Sequence, residues 1–97
     1  MREPEFQAGL IQEITELMPG CIVLKNDPTY LQGIPDLSIS YGERVAWLEC
    51  KESKNARHRP NQDYYVDLIN SQGGFARFIY PENKAEVLNE LQRSFGI

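Results

Sequence analysis

GIPDLSISYGERVAWLECKES, residues 33 to 53, is the stretch whose reading decides the fold. Its first half, PDLSISY, alternates: Leu37, Ile39 and Tyr41 fall on one face of an extended strand, and Asp36, Ser38 and Ser40 on the other. Gly42-Glu43 then makes a tight reversal with glycine first, the order that a type II′ hairpin prefers. RVAWLECK returns as the partner strand, dividing Ala46, Leu48 and Cys50 from Val45, Trp47, Glu49 and Lys51. With Gly42 and Glu43 at the reversal, the register follows by counting. Tyr41 faces Arg44, Ser40 faces Val45, Ser38 faces Trp47, and Asp36 comes opposite Glu49. Opposed Cβ atoms in such a pair lie about 4.5–5.5 Å apart, and like charges so placed destabilise it. Lys51 rises on the same face, two residues past Glu49.

Three explanations compete for this arrangement. The lysine neutralises a carboxylate in a structural ion pair; or the register differs and the acids stand apart in water; or a divalent cation sits between the carboxylates, with the lysine beside the reacting group. Magnesium takes near-octahedral oxygen coordination, often from one or two carboxylates completed by water and phosphate oxygens. The Cys50 carbonyl lies at the same rim and offers a further oxygen.

Outward from the hairpin, residues 4 to 18 carry Phe6, Leu10, Ile14, Leu17 and Met18 at helical spacing, with Pro4 suited to the first turn and Pro19-Gly20 as a stop. CIVLK, residues 21 to 25, is a short β-branched run and reads as a strand, followed by the turn-rich loop NDPTYLQGIP. Beyond a basic loop, Pro60 can open a helix through YYVDLIN that Gly73-Gly74 closes. FARFIY is a further strand. Asn83 with Glu86 resembles a capping box at the head of the amphipathic KAEVLNELQRSF. The order is α-β-β-β-α-β-α. A single crossover helix joins two strands, so a mixed sheet is expected in one α/β domain spanning residues 1–97.

The 97 residues, 41% apolar and 25% charged, have an ordinary globular composition and room for one core. No stretch has the apolar length of a membrane span, and MREPEFQAGL lacks the apolar region of a secretory signal. Cys21 and Cys50 fall in apolar runs and read as reduced small hydrophobes; a cytoplasmic location is expected. The net charge of −4 argues against a polyanionic partner, but its distribution does not. Lys51, Lys54, Arg57, His58 and Arg59 crowd into nine residues with only Glu52 opposing them. Such a patch serves phosphate contacts or is simply a solvated loop.

Gly33-Ile34-Pro35-Asp36 followed by Glu49-Cys50-Lys51 resembles the signature of the PD-(D/E)XK nuclease superfamily. More narrowly, the chain is similar to the compact VRR-NUC-type nucleases, many of them from phages and related to Holliday-junction resolvases. The resemblance runs from about Glu5 to Tyr80, and αβββαβ is also that family's core order. Glu5, just before Phe6-Gln7, takes the place of the family's N-terminal helix glutamate; Gln62 fits its glutamine after the basic loop, and Gly73-Gly74-Phe75 its step from helix to strand.

The resemblance implies a restriction-endonuclease-like fold and metal-dependent DNA cleavage. Asp36, Glu49 and the Cys50 backbone carbonyl would bind Mg2+, or manganese in its place, with Glu5 reaching the ion directly or through water. Lys51 would hold the attacking water and stabilise charge on the scissile phosphate. Gln62 would orient the lysine or the nucleophile. Lys54, Arg57, His58 and Arg59 would contact DNA, mainly at phosphates, which positions a duplex or branch without reading sequence. Structure-selective or non-specific endonuclease action is therefore expected, by a homodimer, as the family's resolvases work as two-fold dimers on four-way junctions. The rival reading is a catalytically silent DNA-binding module on the same fold. Each residue also has a plainer role open to it: Glu5 as a first-turn acid, Gln62 as an early-helix residue, and Trp47, Tyr64 and Tyr65 as packing. Tyr30 lies in the loop before the signature and could approach DNA.

Overall fold

The central hairpin forms because Gly42 takes a left-handed φ of +60° at the reversal, where a side chain would be strained. Strand pairing then runs Tyr41↔Arg44, Ile39↔Ala46 and Leu37↔Leu48, the register obtained by counting outward from the turn. The computed structural model describes residues 1–97 as α1 (Glu3–Leu17), β1 (Ile22–Lys25), β2 (Leu37–Tyr41), β3 (Arg44–Cys50), α2 (Gln62–Ser71), β4 (Phe75–Ile79) and α3 (Lys84–Ser94). The sheet order is β1-β2-β3-β4. β1 and β3 lie antiparallel to β2, whereas β4, brought back by the α2 crossover, pairs parallel with β3. This is an α/β architecture with a mixed four-stranded sheet flanked by three helices.

One sheet face holds the core. Leu37, Ile39, Ala46, Leu48, Cys50, Phe75 and Ile79 meet Phe6, Leu10, Ile14 and Met18 from the α1 side and Val87, Leu88 and Leu91 of α3. The α1 stripe repeats every four residues, so one ridge of the helix lies on the sheet. Arg77 shares that face and reaches Glu90 of α3 at 3.5 Å. The opposite face is covered only in part. α2 packs there on β4 and β3, and the Asn70 amide copies a strand edge: its Oδ1 accepts the Ala76 N–H (2.9 Å) and its Nδ2 donates to the Ala76 carbonyl (2.8 Å). Ile22, Leu24 and Val45 on this second face stay exposed. No helix is long and apolar enough to cross a membrane.

Two terminus readings are corrected. Pro60 does not open α2, because Asn61 adopts φ 69°, a left-handed conformation that delays the helix until Gln62. Asn83 precedes α3, but its side chain does not cap it. Its Oδ1 accepts the Tyr80 N–H (2.9 Å) and its Nδ2 donates to the Phe78 carbonyl (3.0 Å). Those half-buried strand-end groups have no ready solvent partner, whereas water can serve the free N–H groups of a helix start.

Leu10→Ala removes a fully buried side chain between α1 and the sheet. The expected cost is about 2–5 kcal/mol, read from urea unfolding, against about 0.5 kcal/mol or less for the exposed Leu24→Ala.

Candidate active site

The hairpin's last bridged pair is Leu37↔Leu48. One step further along the same register stand Asp36 and Glu49, with Pro35 and Cys50 beyond them. The Pro35 carbonyl, which the ladder would offer to Cys50, accepts from Asn26 Nδ2 instead, and the Asp36 side chain takes its place: its Oδ2 accepts the Cys50 N–H at 2.9 Å. Pro35 has no N–H, so the Cys50 carbonyl on that side of the strand receives no ladder bond from it. Its thiol belongs to the core cluster, and burial raises its pKa far above the ordinary thiol range, so only the backbone of Cys50 bears on the site.

Glu49 is 1% exposed. Its Oε2 accepts from Gln62 Nε2 at 2.7 Å and lies 4.0 Å from Lys51 Nζ, while its Oε1 is buried with no hydrogen-bond partner. Lys51, 4% exposed, donates from Nζ to Gln62 Oε1 at 2.6 Å and to the Arg57 carbonyl at 3.1 Å. Gln62 Oε1 also accepts the Arg59 N–H at 2.8 Å. The chemistry fixes the orientation of this amide, because its oxygen faces two donors and its nitrogen a carboxylate. Gln62 thereby ties the acid, the lysine and the basic loop into one network.

A backbone contact holds Gln62 in place. A Cβ built on Gly33, whose φ is +90°, would fall 2.5 Å from the Asn61 Cβ and 2.7 Å from its carbonyl carbon. Only glycine lets the loop before β2 close on the residue that starts α2.

The helix acid that joins the group is Glu3. The oxygens of Glu3, Asp36 and Glu49 lie within 4.8 Å of one another. Glu5, expected there, is exposed and outside the group. Helical geometry explains the correction: Glu3 precedes Phe6 by three residues and shares its sheet-facing side, whereas Glu5 is its immediate neighbour and turns away. That i, i+3 relation was legible in the sequence. Burial, and then the Asp36 charge, raise the Glu3 pKa. The same two causes, in the same order, push Glu49 up to about 8 against the opposing pull of Lys51.

These residues line a cleft of about 440 Å3, with Arg59 at its edge. Arg57 and Arg59 also border an adjoining hollow beside Glu3 and Lys51. The other expected phosphate contacts lie apart. Lys54 is exposed and lines neither space. His58 stacks on Phe78 with ring centroids 4.1 Å apart, and its Nδ1 is 2.9 Å from Asp63 Oδ1, so the ring fastens the basic loop to α2 and β4. Asp36, Glu49, Lys51 and Gln62 thus line one cleft, and the Cys50 N–H holds the Asp36 carboxylate. The arrangement fits a divalent cation: hard oxygen donors are clustered, and one buried oxygen has no donor of its own.

Comparison with family models, curated proteins and solved structures finds no match for this chain. The site's chemistry therefore rests on its own geometry.

Glu49 titrates near 4.5 in the unfolded chain and near 8 in the fold, so folding takes up a proton between those values. The stabilisation is complete below about pH 4.5 and lost as pH rises through 8. The metal-free protein is expected to lose thermal stability between pH 5 and 8. Glu49→Gln should flatten that slope and raise the melting temperature at pH 8, by about 4–8 °C for each kcal/mol recovered. Calorimetry across the range checks both.

Proposed function

We propose that this chain is a metal-dependent nuclease hydrolysing DNA phosphodiester bonds, on a restriction-endonuclease-like version of its α/β fold. The observation that carries the reading is the Glu49 carboxylate: nearly fully buried, one oxygen unpartnered, two further acids beside it and a fixed lysine next in line. A purely structural ion pair would satisfy both oxygens, since an unpaired buried acceptor costs about 1–3 kcal/mol. A magnesium or manganese ion held by Glu3, Asp36, Glu49 and the Cys50 carbonyl would supply Lewis acidity and positive charge at the scissile phosphate.

The chain's own groups do the positioning. Lys51 has three N–H donors; Gln62 and the Arg57 carbonyl occupy two, leaving one for a phosphate oxygen or the attacking water. Its charge then stabilises the negative charge that builds on the phosphate without needing to reorganise, because Gln62 already holds it. Arg57 and Arg59 grip flanking phosphates from the cleft's edge. Phosphate-directed contacts of this kind favour structure-selective or non-specific cleavage. A two-fold pair of such chains would present two centres to the symmetric strands of a four-way junction.

Labelled linear duplex, single strands and a four-way junction incubated with magnesium should be cut, and EDTA should abolish the cutting. Lys51→Ala and Asp36→Asn should each lower the rate by at least about 100-fold while the circular dichroism spectrum stays native. Undiminished cleavage by Lys51→Ala, or indifference to EDTA, removes the nuclease reading. DNA retention by the wild type with no cleavage under any metal would identify a silent binding module instead.

A further inference from the structure

Beside the cleft lies a second, more apolar groove of about 500 Å3, bounded by Asn26, Asp27, Tyr30, Leu31, Ile34 and Trp47. Ile34 borders both spaces, and residues 27–34 form the partition between them. That partition is braced internally. Asp27 Oδ1 accepts the N–H (2.8 Å) and the hydroxyl (2.6 Å) of Thr29, and the Asp27 carbonyl accepts the N–H groups of Tyr30 and Leu31 at 3.2 and 3.4 Å. The Tyr30 side chain, 88% exposed, therefore projects from an ordered loop and contributes little to the core.

We infer that this groove receives a nucleobase unstacked from the strand whose phosphate occupies the cleft, so that the substrate is single-stranded or splayed at that step. The inference rests on the nuclease reading of the cleft and goes beyond it in naming the state of the strand.

Three features carry it. Trp47 and Glu49 lie two residues apart on one strand and share a face, about 6.7 Å along β3, close to one nucleotide of an extended strand. Tyr30 and Trp47 offer aromatic surface of the kind on which bases of any identity stack. The rim charge selects the base over the backbone. Asp27 repels phosphate, while its second carboxylate oxygen can accept from a base N–H, such as thymine N3–H; the Thr29 hydrogen bonds hold its pKa below the usual carboxylate range. A second copy of this chain is a poorer occupant, since two-fold apposition would bring two Asp27 charges into one desolvated contact.

The chain's single tryptophan makes the test direct. A twelve-nucleotide thymidine strand is titrated in EDTA against the same strand carrying abasic sites and against a blunt duplex, following Trp47 fluorescence and affinity. Quenching by the base-bearing strand alone is expected, with Tyr30→Ala weakening that strand about tenfold and leaving the abasic strand unchanged. Equal affinity and equal quenching by the base-bearing and abasic strands would overturn the inference. So would self-association of the protein that Tyr30→Ala dissolves without altering strand binding. Cleavage with magnesium is scored separately. Cutting without base-dependent quenching defeats the groove alone; quenching without cutting defeats the nuclease reading and leaves the groove a base-binding site.

Discussion

Glu49 is the group on which the structure turns. Burying a carboxylate beside two others is unfavourable, and here the environment answers only in part, with one hydrogen bond from Gln62 and a lysine at 4.0 Å. The surrounding elements are arranged around that imbalance. The hairpin brings Asp36 alongside, α1 brings Glu3, and the loop into α2 delivers Gln62 and the Arg57 carbonyl to fix Lys51. Burial, and then the Asp36 charge, favour the protonated carboxyl, and the Glu49 pKa rises accordingly.

Such a site needs rigid supports, and they are backbone devices. Asn26 takes the Pro35 carbonyl, and Asp36 then accepts the Cys50 N–H in its place. Glycine at 33 allows its loop to touch Asn61, whose left-handed conformation starts α2 with Gln62 already in place. His58, stacked on Phe78 and bonded to Asp63, anchors the basic loop from the far side. Each device gives up local conformational freedom to position a polar group. The one-sided core follows from the same plan. α1 and α3 bury one sheet face, and the second face is left to the cleft, the groove and the single helix α2.

Most of the fold was legible in the chain itself because its signals are local. A two-residue turn sets the register by counting, period-two and period-four apolar patterns mark strands and helices, and one crossover implies one parallel pair. The convergence of Asp36, Glu49 and Lys51 follows from the same counting. Glu5 was misplaced for Glu3 because likeness in position along the chain took precedence over the face set by Phe6. The cap expected of Asn83 failed because a strand end competed for the same amide.

The amino-acid order alone determined how β2 pairs with β3 and which face each residue of that hairpin takes, since strand periodicity and turn chemistry govern both. Only the tertiary structure decided that Gln62 bridges Glu49 and Lys51, that Gly33 meets Asn61, that His58 turns to Asp63, and that Glu49 keeps one oxygen unsatisfied. Those facts depend on how elements far apart in the chain are set against one another. Close packing fixes such distances, and no local pattern encodes them.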